Sequence, residues 1–269
     1  MARIFAVKDR PTGHPLIVHI LPEWLDDWAV DVPERARVLA AACWPGPLTM
    51  LLRRSTRVPD AVTGGRDTVG LRAPAHPLTE QLLATTGLGI AAPSANRFGR
   101  VSPTTAQHVV DDLGPYLDPA RDAVLDGGPS PIGVESTIVD CTVDPPQLLR
   151  PGGIPTEDVE RLLDLGLAVA SGPSRAAGML ASHYAPRARV LLVEDAATAE
   201  RETAALRADG RRVAVVDHGD DLVTYAQRLY ADLRAADAAG ADAIVAVLPP
   251  ARGLGHAIRD RLVKAAAAR

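Results

Sequence analysis

The feature that most constrains the fold is a regular alternation of strand-like and helix-like patterns in the last third of the chain. Three short apolar runs, VLLVED, RVAVVDH and AIVAVLP, are each followed by a segment whose apolar residues have helical spacing. Parallel strands need a crossover connection, which is usually a helix. The alternation therefore predicts a small parallel α/β domain over residues 189–269.

Residues 1–165 have a different character, with more strands and with irregular loops between them. The strand candidates are LIVHI, PLTMLLRR, TVGLRAP, the start of IAAPSAN, DAVLDGG, STIVDCT and QLLRPGGI. This mixture predicts a separate α+β domain. Residues 166–188 are rich in Gly, Pro and other small residues and have weak periodicity, which is typical of a linker.

Several helix ends are predicted from capping residues. Pro33 is expected to break PEWLDDWAVDVPERARVLAAAC into two helices, with Asp31 as the cap of the second. Gly87 is expected to end the helix in LTEQLLATTG. The helix that follows PSANRFGRVSPTT is expected to be capped near Ser102 or Thr104, with Pro103 in its first turn.

Motif patterns exclude several classes of enzyme. The chain has no GxxxxGK[ST] phosphate loop, no GxSxG elbow and no HExxH zinc pair. GLGHAI, which precedes the last helical pattern, is either a tight turn or a dinucleotide fingerprint that lacks its third glycine. No protein-held metal site is predicted.

Charge and cysteine content narrow the functional class further. The formal net charge is −4, without the basic excess of a dedicated nucleic-acid binder. The two cysteines are far apart in the sequence and predict no disulfide framework. No apolar run approaches the roughly 18 residues of a membrane span, and no signal peptide is recognisable. We expect a cytoplasmic protein that does not enter a membrane.

The stretch VKDRPTGHPLIVHI carries the first candidate binding residues, Lys8 and Arg10. In an extended segment these two side chains would point to the same face. The planar guanidinium group of Arg10 and the compact ammonium group of Lys8, placed on one face, would suit a polyphosphate. A solvated surface turn is the alternative interpretation.

Three further segments carry candidate residues. PSANRFGRVSPT offers small polar side chains between a strand and a helix, an arrangement that suits either an anion cradle or ordinary capping. In GVESTIVD and LLRPGG, Ser136 starts one strand and Arg150 lies on the next, where a lone arginine indicates a partner rather than solvent. Thr68 and Arg72 share a strand face by parity, and a structural ion pair is the alternative role for Arg72.

Taken together, these stretches resemble the YrdC-type threonylcarbamoyl-AMP synthases in their long two-domain form. The resemblance is carried, in the family's order, by KDRPTGHPLIVHI, CWPGPLTMLL, TVGLRAPAHP, IAAPSANRFGRVSPTT, GVESTIVD with LLRPGGI, and GMLASHYAP, and by the tail GLGHAIRDRLVKAA. It implies a YrdC-like α+β catalytic domain with a twisted mixed sheet and a small Rossmann-like α/β domain at the C-terminal end.

The resemblance also implies a reaction. L-threonine, bicarbonate and ATP, with Mg²⁺ carried by ATP, would give threonylcarbamoyl-adenylate and pyrophosphate. A separate tRNA threonylcarbamoyl transferase complex would pass the group to tRNA, where it forms N6-threonylcarbamoyladenosine. The near-neutral charge agrees with weak or no direct tRNA binding by this chain.

Residue roles follow from matching the family's motifs to this chain. Lys8 and Arg10 are implied as the catalytic cations that meet the ATP phosphates. The implied ATP contacts are Arg10, His14, Thr68, Ser94, Asn96, Ser102, Arg150 and Tyr184. The implied threonine contacts are His19, Arg72, Ala92 and Ser136. His14 stands where the family usually has asparagine, and Phe98 where it tends to have a small polar residue.

The resemblance has one departure. Members of the family open on a strand and turn resembling PTETVYGLG, which precedes the region matched by Met1; an earlier start and a genuinely shortened chain are both open. We expect the chain as printed to be poorly active and less stable than one carrying that strand. Two other functions are open: a YrdC-like RNA- or nucleotide-binding module without synthesis, and a carbamoyltransferase acting on another amine.

Overall fold

The structure is a computed structural model that describes residues 1–170, 176, 178 and 183–267. Contacts divide the chain into two units, which are described separately below. The first unit comprises Met1–Pro93 and Glu135–Met179, and the second comprises Ser94–Val134 and Leu180–Arg269. The predicted domain boundaries lie at residues 165 and 189 and would place residues 94–134 in the first domain. The contacts instead group residues 94–134 with the C-terminal part.

The first unit is built on a mixed sheet. Its strands are β1 (Ile17–His19), β2 (Ala29–Val30), β3 (Leu48–Arg54), β4 (Thr68–Arg72), β5 (Ile90–Ala92), β6 (Thr137–Asp140), β7 (Gln147–Arg150) and β8 (Ala168–Val169). Their order in space is β5-β1-β4-β3-β6-β7-β8, with β2 paired to β3. The pairs β1–β4, β3–β6 and β7–β8 are parallel, and the other pairs are antiparallel.

The helices of the first unit are α1 (Ala2–Lys8), α2 (Leu25–Trp28), α3 (Glu34–Cys43), α4 (Asp60–Thr63), α5 (Pro77–Thr86) and α7 (Thr156–Leu163). One face of the sheet packs on the main core. Val18, Met50 and Leu71 point from the strands into a cluster that also contains Phe5 and Leu39 from the helices. Because side chains alternate along a strand, the neighbouring residues of β1, β3 and β4 face the other way.

The second unit contains the parallel sheet expected from the β-α alternation. Its elements are α6 (Ala106–Leu113), β9 (Arg189–Val193), α8 (Ala196–Ala208), β10 (Val213–Val216), α9 (Leu222–Ala238), β11 (Ala243–Val247) and α10 (Gly255–Ala266). The strand order is β10-β11-β9, and both pairs are parallel. Both predicted fold classes are therefore confirmed, the mixed α+β sheet and the small parallel α/β sheet.

Some expected elements differ in the structure. Residues 122–128, DAVLDGG, form no strand. Their carboxylates make local turns, because the Asp122 side chain accepts a hydrogen bond from the Asp118 N–H at 2.7 Å and the Asp126 side chain accepts one from Gly128 at 2.9 Å. Such local bonds compete with a sheet ladder.

One predicted cap is wrong. Helix α3 follows Pro33, which has no side-chain capping bond, while Asp31 lies outside the helix with φ 50°. Helix α6 is capped by Thr105, next to the expected Thr104, and its side chain accepts from the His108 N–H. Pro103 therefore precedes the helix and does not lie in its first turn. Gly87 ends α5 as predicted, in the left-handed conformation that glycine tolerates.

Both ends of the predicted linker 166–188 are ordered by packing. Strand β8 pairs with β7, and Ala185 and Ala188 are buried. Residues 171–175, 177 and 179–182 lie outside the described part of the chain. Within the described ranges, no helix combines the length and the apolar character needed to cross a bilayer.

Candidate functional site

Polar residues lie on the face of the first unit's sheet that points away from the main core. His19 and Arg72 end the parallel strands β1 and β4 and are direct partners in the register. On the other side of His19, Ile90 is its antiparallel partner in β5. Since Val18 and Leu71 point into the core, parity places the His19 and Arg72 side chains together on the opposite face.

His19 is held as a neutral imidazole. Its Nδ1 atom lies 3.3 Å from the Ile90 carbonyl oxygen, which only accepts hydrogen bonds, so Nδ1 carries the proton. Burial, and secondly the positive charge of Arg72, lower the pKa of His19 to about 4, although the bond to Ile90 acts in the opposite direction. The Nε2 atom is therefore a hydrogen-bond acceptor at neutral pH.

Thr49, Ser136 and Arg150 form a buried polar chain. The hydroxyl oxygens of Thr49 and Ser136 lie 2.7 Å apart. Arg150 donates from Nε and Nη2 to the Ser136 carbonyl oxygen at 3.1 and 2.8 Å, and from Nη2 to the Ser136 hydroxyl at 3.1 Å. Arg150 is only 4% exposed. The Ser136 side chain is thereby fixed from two directions.

Gly152 allows this arrangement through a close backbone approach. A Cβ atom added at Gly152 would lie 2.4 Å from backbone atoms of Glu135, Ser136 and Thr137. Gly153 then donates from its N–H to the Glu135 carbonyl oxygen at 2.9 Å. The turn after β7 therefore packs directly on the backbone that presents Ser136.

Arg72 and Arg150 place two positive charges near each other. Arg72 donates from Nε to the Gly46 carbonyl oxygen at 3.0 Å. Burial, and secondly the charge of Arg150, lower the pKa of Arg72 to about 10. An anion bound beside these two guanidinium groups would relieve their repulsion.

The Lys8–Arg10 pair adopts a different local structure from the extended segment expected. Lys8 is the last residue of α1, and Asp9 follows in the left-handed conformation with φ 56°. The Arg10 N–H then donates back to the Phe5 carbonyl oxygen at 2.9 Å. The chain therefore turns here, and its side chains do not alternate as they would in an extended segment. Lys8 and Arg10 are 4% and 8% exposed, which excludes the solvated surface turn.

His14 belongs to the same neighbourhood as Arg10. Burial lowers the pKa of His14, and the charges of Arg10 and Arg66 lower it further. Arg10 also donates from Nη2 to the Pro15 carbonyl oxygen at 3.1 Å. Positive charge is thus concentrated in this segment as well.

Thr68 and Ala92 lie away from the His19 end of their strands. Thr68 pairs with Arg53 and is four residues from Arg72, a separation of about 13 Å along a strand. Ala92 pairs with Ile17, two residues from His19. The structure therefore brings His19, Arg72, Ser136 and Arg150 to one edge of the sheet, but not Thr68 or Ala92.

The other predicted nucleotide contacts belong to the second unit. Asn96, which is 1% exposed, donates from Nδ2 to the carbonyl oxygens of Arg97 and Arg100 at 2.9 and 2.8 Å. It thus folds its own loop, in the segment that also contains Ser94 and Ser102. Ser102 is 4% exposed.

Tyr184 is packed inside the second unit. Its ring is 1% exposed, lies 4.0 Å edge-on from the His183 ring and 5.5 Å from the Tyr230 ring, and has the Arg261 guanidinium 5.3 Å from its centroid. Its φ of 62° is unusual for a bulky residue. The nucleotide contact implied for Tyr184 stays a prediction.

Thr49 is the site residue that the sequence reasoning missed. It occupies a buried position in the apolar run PLTMLLRR, out of phase with the core residues Leu48 and Met50. A threonine on the polar face of a strand that is otherwise apolar was the available indication. No group of three His, Cys, Asp or Glu side chains suited to a metal occurs in the part of the chain that the structure describes.

Two protein-family models match the chain. Residues 1–152 match the Sua5/YciO/YrdC family, described as "Telomere recombination". Residues 154–267 match the family described as "Threonylcarbamoyl-AMP synthase, C-terminal domain". Together the two matches cover nearly the whole sequence.

Curated proteins from several organisms are similar to this chain over nearly its whole length. A threonylcarbamoyl-AMP synthase of Pyrococcus abyssi is 40% identical over 98% of this chain and 83% of its own length. One of Bacillus subtilis is 39% identical over 99% of this chain and 83% of its own length.

The fold is also similar to a solved structure. The crystal structure of P. abyssi Sua5 in complex with L-threonine matches with a TM-score of 0.92 and 38% identity, over 98% of this chain and 84% of that one. The alignments to the two curated relatives cover nearly the whole chain and thus both family regions. The chain belongs to the Sua5/YciO/YrdC family, in the form that carries the Sua5 C-terminal domain.

Proposed function

We propose that this protein synthesises L-threonylcarbamoyl-adenylate from L-threonine, bicarbonate and ATP, with release of pyrophosphate. The observation that carries the proposal is the cluster of Arg72, Arg150, Ser136 and neutral His19 at one sheet edge. The similarity to a protein solved with L-threonine supports the same conclusion. The enzyme would be a nucleotidyltransferase.

An amino acid suits the chemistry of this cluster. Arg72 would bind the threonine carboxylate, because a carboxylate reduces the repulsion between Arg72 and Arg150. Ser136 and the Nε2 atom of His19 would hydrogen-bond the polar groups of threonine. The backbone contact that the family resemblance implies for Ala92 stays a prediction, since Ala92 pairs with Ile17, two residues from His19.

The chemical step would need little acid–base machinery. The threonine amine adds to CO₂ derived from bicarbonate and loses a proton, which gives a carbamate anion. A carbamate oxygen then attacks the α-phosphorus of ATP, and the bond to pyrophosphate breaks. Positioning and charge neutralisation dominate such a displacement. With a pKa of about 4, His19 would be a weak base, and a binding role suits it better.

Lys8, Arg10 and Arg150 would neutralise the charge of the nucleotide. The remaining implied ATP contacts are His14, Thr68, Ser94, Asn96, Ser102 and Tyr184. The described residues offer no cluster of acidic or imidazole ligands, so Mg²⁺ would be carried by the ATP phosphates and would supply charge neutralisation there. The product would pass to a tRNA threonylcarbamoyl transferase complex.

Pyrophosphate release from ATP tests the proposal. With bicarbonate present, we expect release that depends on added L-threonine and falls when Arg72 is changed to Gln. Arg53→Lys, at an exposed position of β3, is the matched control and should leave release unchanged. Equal release with and without threonine would contradict the proposal. RNA binding without any turnover would instead favour a binding module.

A further inference from the structure

Arg234, on helix α9, reaches a segment more than one hundred residues earlier in the chain. Its Nη2 atom donates to the Val101 carbonyl oxygen at 2.6 Å, and its Nε atom donates to the Ser102 carbonyl oxygen at 3.1 Å. Nη1 and Nη2 also donate to the two carboxylate oxygens of Asp112 on α6, at 3.2 and 2.5 Å. All four bonds lie within the second unit.

This geometry uses four of the five N–H donors of the guanidinium group. The side chain is 13% exposed and that of Asp112 is 20% exposed, so the bonds are only weakly screened by solvent. A planar fork serves two successive carbonyls on one side and a carboxylate on the other. Lysine has one donor atom and would satisfy only part of this set.

The segment held in this way is the predicted nucleotide loop. Asn96 folds the loop from inside through the carbonyls of Arg97 and Arg100. Val101 is 4% exposed and packs in the core of the second unit. Arg234 therefore fixes the end of the loop at which Ser102 lies, while Asn96 fixes its beginning.

Helix α9 also contacts the other end of residues 94–134. A Cβ atom at Gly133 would lie 2.1 Å from the Ala226 carbonyl oxygen, and Gln227 donates from Nε2 to the Pro131 carbonyl oxygen at 2.9 Å. The stretch 94–134 is thus held against α9 near both of its ends. The C-terminal domain, through α9, thus holds the segment that carries the predicted nucleotide loop, although it contains none of the implied threonine contacts.

We propose that Arg234 is a positioning residue for nucleotide binding, which holds the loop of residues 96–102 in the conformation that binds ATP. The inference rests on the proposed function, since it assumes that this loop contacts the nucleotide. Without Arg234 the loop would populate other conformations. The apparent dissociation constant for ATP would then equal the intrinsic constant divided by the fraction of molecules whose loop is competent to bind.

The test compares variants of the whole chain by calorimetric ATP binding and by steady-state kinetics. Arg234→Lys keeps a positive charge opposite Asp112 but cannot hold both carbonyls. We expect its ATP dissociation constant and its KM for ATP to rise about tenfold. Its KM for threonine at saturating ATP should stay unchanged, which a general loss of structure would not allow.

Two control variants separate loop positioning from the ion pair. Asp112→Asn weakens the ion pair while leaving the donors to Val101 and Ser102 in place. Arg228→Lys changes a 60%-exposed arginine on the same helix. Both should bind ATP as the wild type does. An unchanged ATP affinity in Arg234→Lys, or an equal loss in Asp112→Asn, would overturn the proposal.

The outcomes distinguish this inference from the proposed function. If the wild type binds ATP but shows no threonine-dependent pyrophosphate release, the proposed function fails while the effect of Arg234 on ATP affinity is still decided. A wild type that does not bind ATP overturns both. Arg234→Gln is the second variant, and if neither variant folds, the role of Arg234 is structural and the proposal is wrong.

Discussion

The hydroxyl oxygens of Thr49 and Ser136 lie 2.7 Å apart inside the first unit. Thr49 is fully buried in β3, and Ser136 directly precedes the parallel neighbour β6. Arg150 also donates to the Ser136 hydroxyl. Ser136 therefore has a fixed orientation before any substrate arrives, which is the condition for a side chain that recognises a small polar molecule.

Thr49→Val should weaken this orientation without changing the shape of the core. We expect a loss of about 1 kcal/mol in the free energy of unfolding, because one buried hydrogen bond is removed. The KM for threonine should rise, while the KM for ATP changes less. Thr85→Val, at an exposed position of α5, is the control. Identical threonine KM values in the two variants would contradict the role given to Thr49.

Gly152→Ala should be more damaging than its size suggests. The added methyl group would meet backbone atoms of Ser136 and Thr137 at 2.4 Å, and backbone cannot rotate away as a side chain can. We expect a loss of about 2 kcal/mol or more in denaturant unfolding. At Gly166 the nearest atom is a side-chain oxygen of Glu160 at 3.9 Å, so Gly166→Ala is the matched control. Equal stability of the two variants would contradict the close approach.

The pKa of His19 predicts a dependence of stability on pH. Because the pKa falls from 6.5 to about 4 on folding, the unfolded chain binds more protons between these values. The contribution of His19 is complete above pH 6.5 and is lost as the pH falls towards 4, by up to about 3 kcal/mol.

His19→Asn removes this titration and keeps a donor for the Ile90 carbonyl. We expect the difference in unfolding free energy between wild type and variant to change over this pH window. Other acidic groups contribute equally to both proteins, so they cancel in the difference. Parallel stability curves between pH 6.5 and 4 would show that His19 does not titrate as described.

Arg150→Lys should show that the planar guanidinium group of Arg150, and not its charge alone, is needed for stability and turnover. Lysine cannot donate from two nitrogens to the Ser136 carbonyl, as Arg150 does from Nε and Nη2. We expect a loss of about 1–3 kcal/mol in stability and reduced turnover. Arg53→Lys, which is exposed, controls for the exchange itself. A fully active Arg150→Lys enzyme would contradict this assignment.

Local pattern was sufficient to predict most of the strands and the parallel C-terminal sheet. PLTMLLRR and TVGLRAP were sufficient to predict β3 and β4, because buried residues run continuously through most of β3 and alternate in β4. The three strands after residue 189 are bounded by helices with clear ends, such as the Gly210 turn after α8. These elements depend on periodicity, which the sequence contains.

Other features depend on contacts between distant residues and could not be predicted from spacing. The short β8 exists because β7 offers it a partner, and α7 packs through Val159 into the main core. Arg10 is buried because the chain reverses after α1. Residues 94–134 group with the C-terminal part through contacts such as those of Arg234, whose partners lie more than one hundred residues away.

The roles of the candidate site residues stay predictions, but their proximity is visible in the structure. His19, Arg72, Ser136 and Arg150 were identified by resemblance, and strand register and hydrogen bonds bring them to one edge of the sheet. Thr49 was missed because a buried hydroxyl in an apolar strand has no distinctive sequence pattern.

The most direct test of the central claim is detection of the product by mass spectrometry. The protein is incubated with ATP, Mg²⁺, L-threonine and bicarbonate labelled with ¹³C. The account predicts an adenylate that contains both threonine and the labelled carbon, formed together with pyrophosphate and absent when threonine is omitted. ATP cleavage without a labelled threonyl adduct, under conditions in which the protein binds ATP, would contradict it.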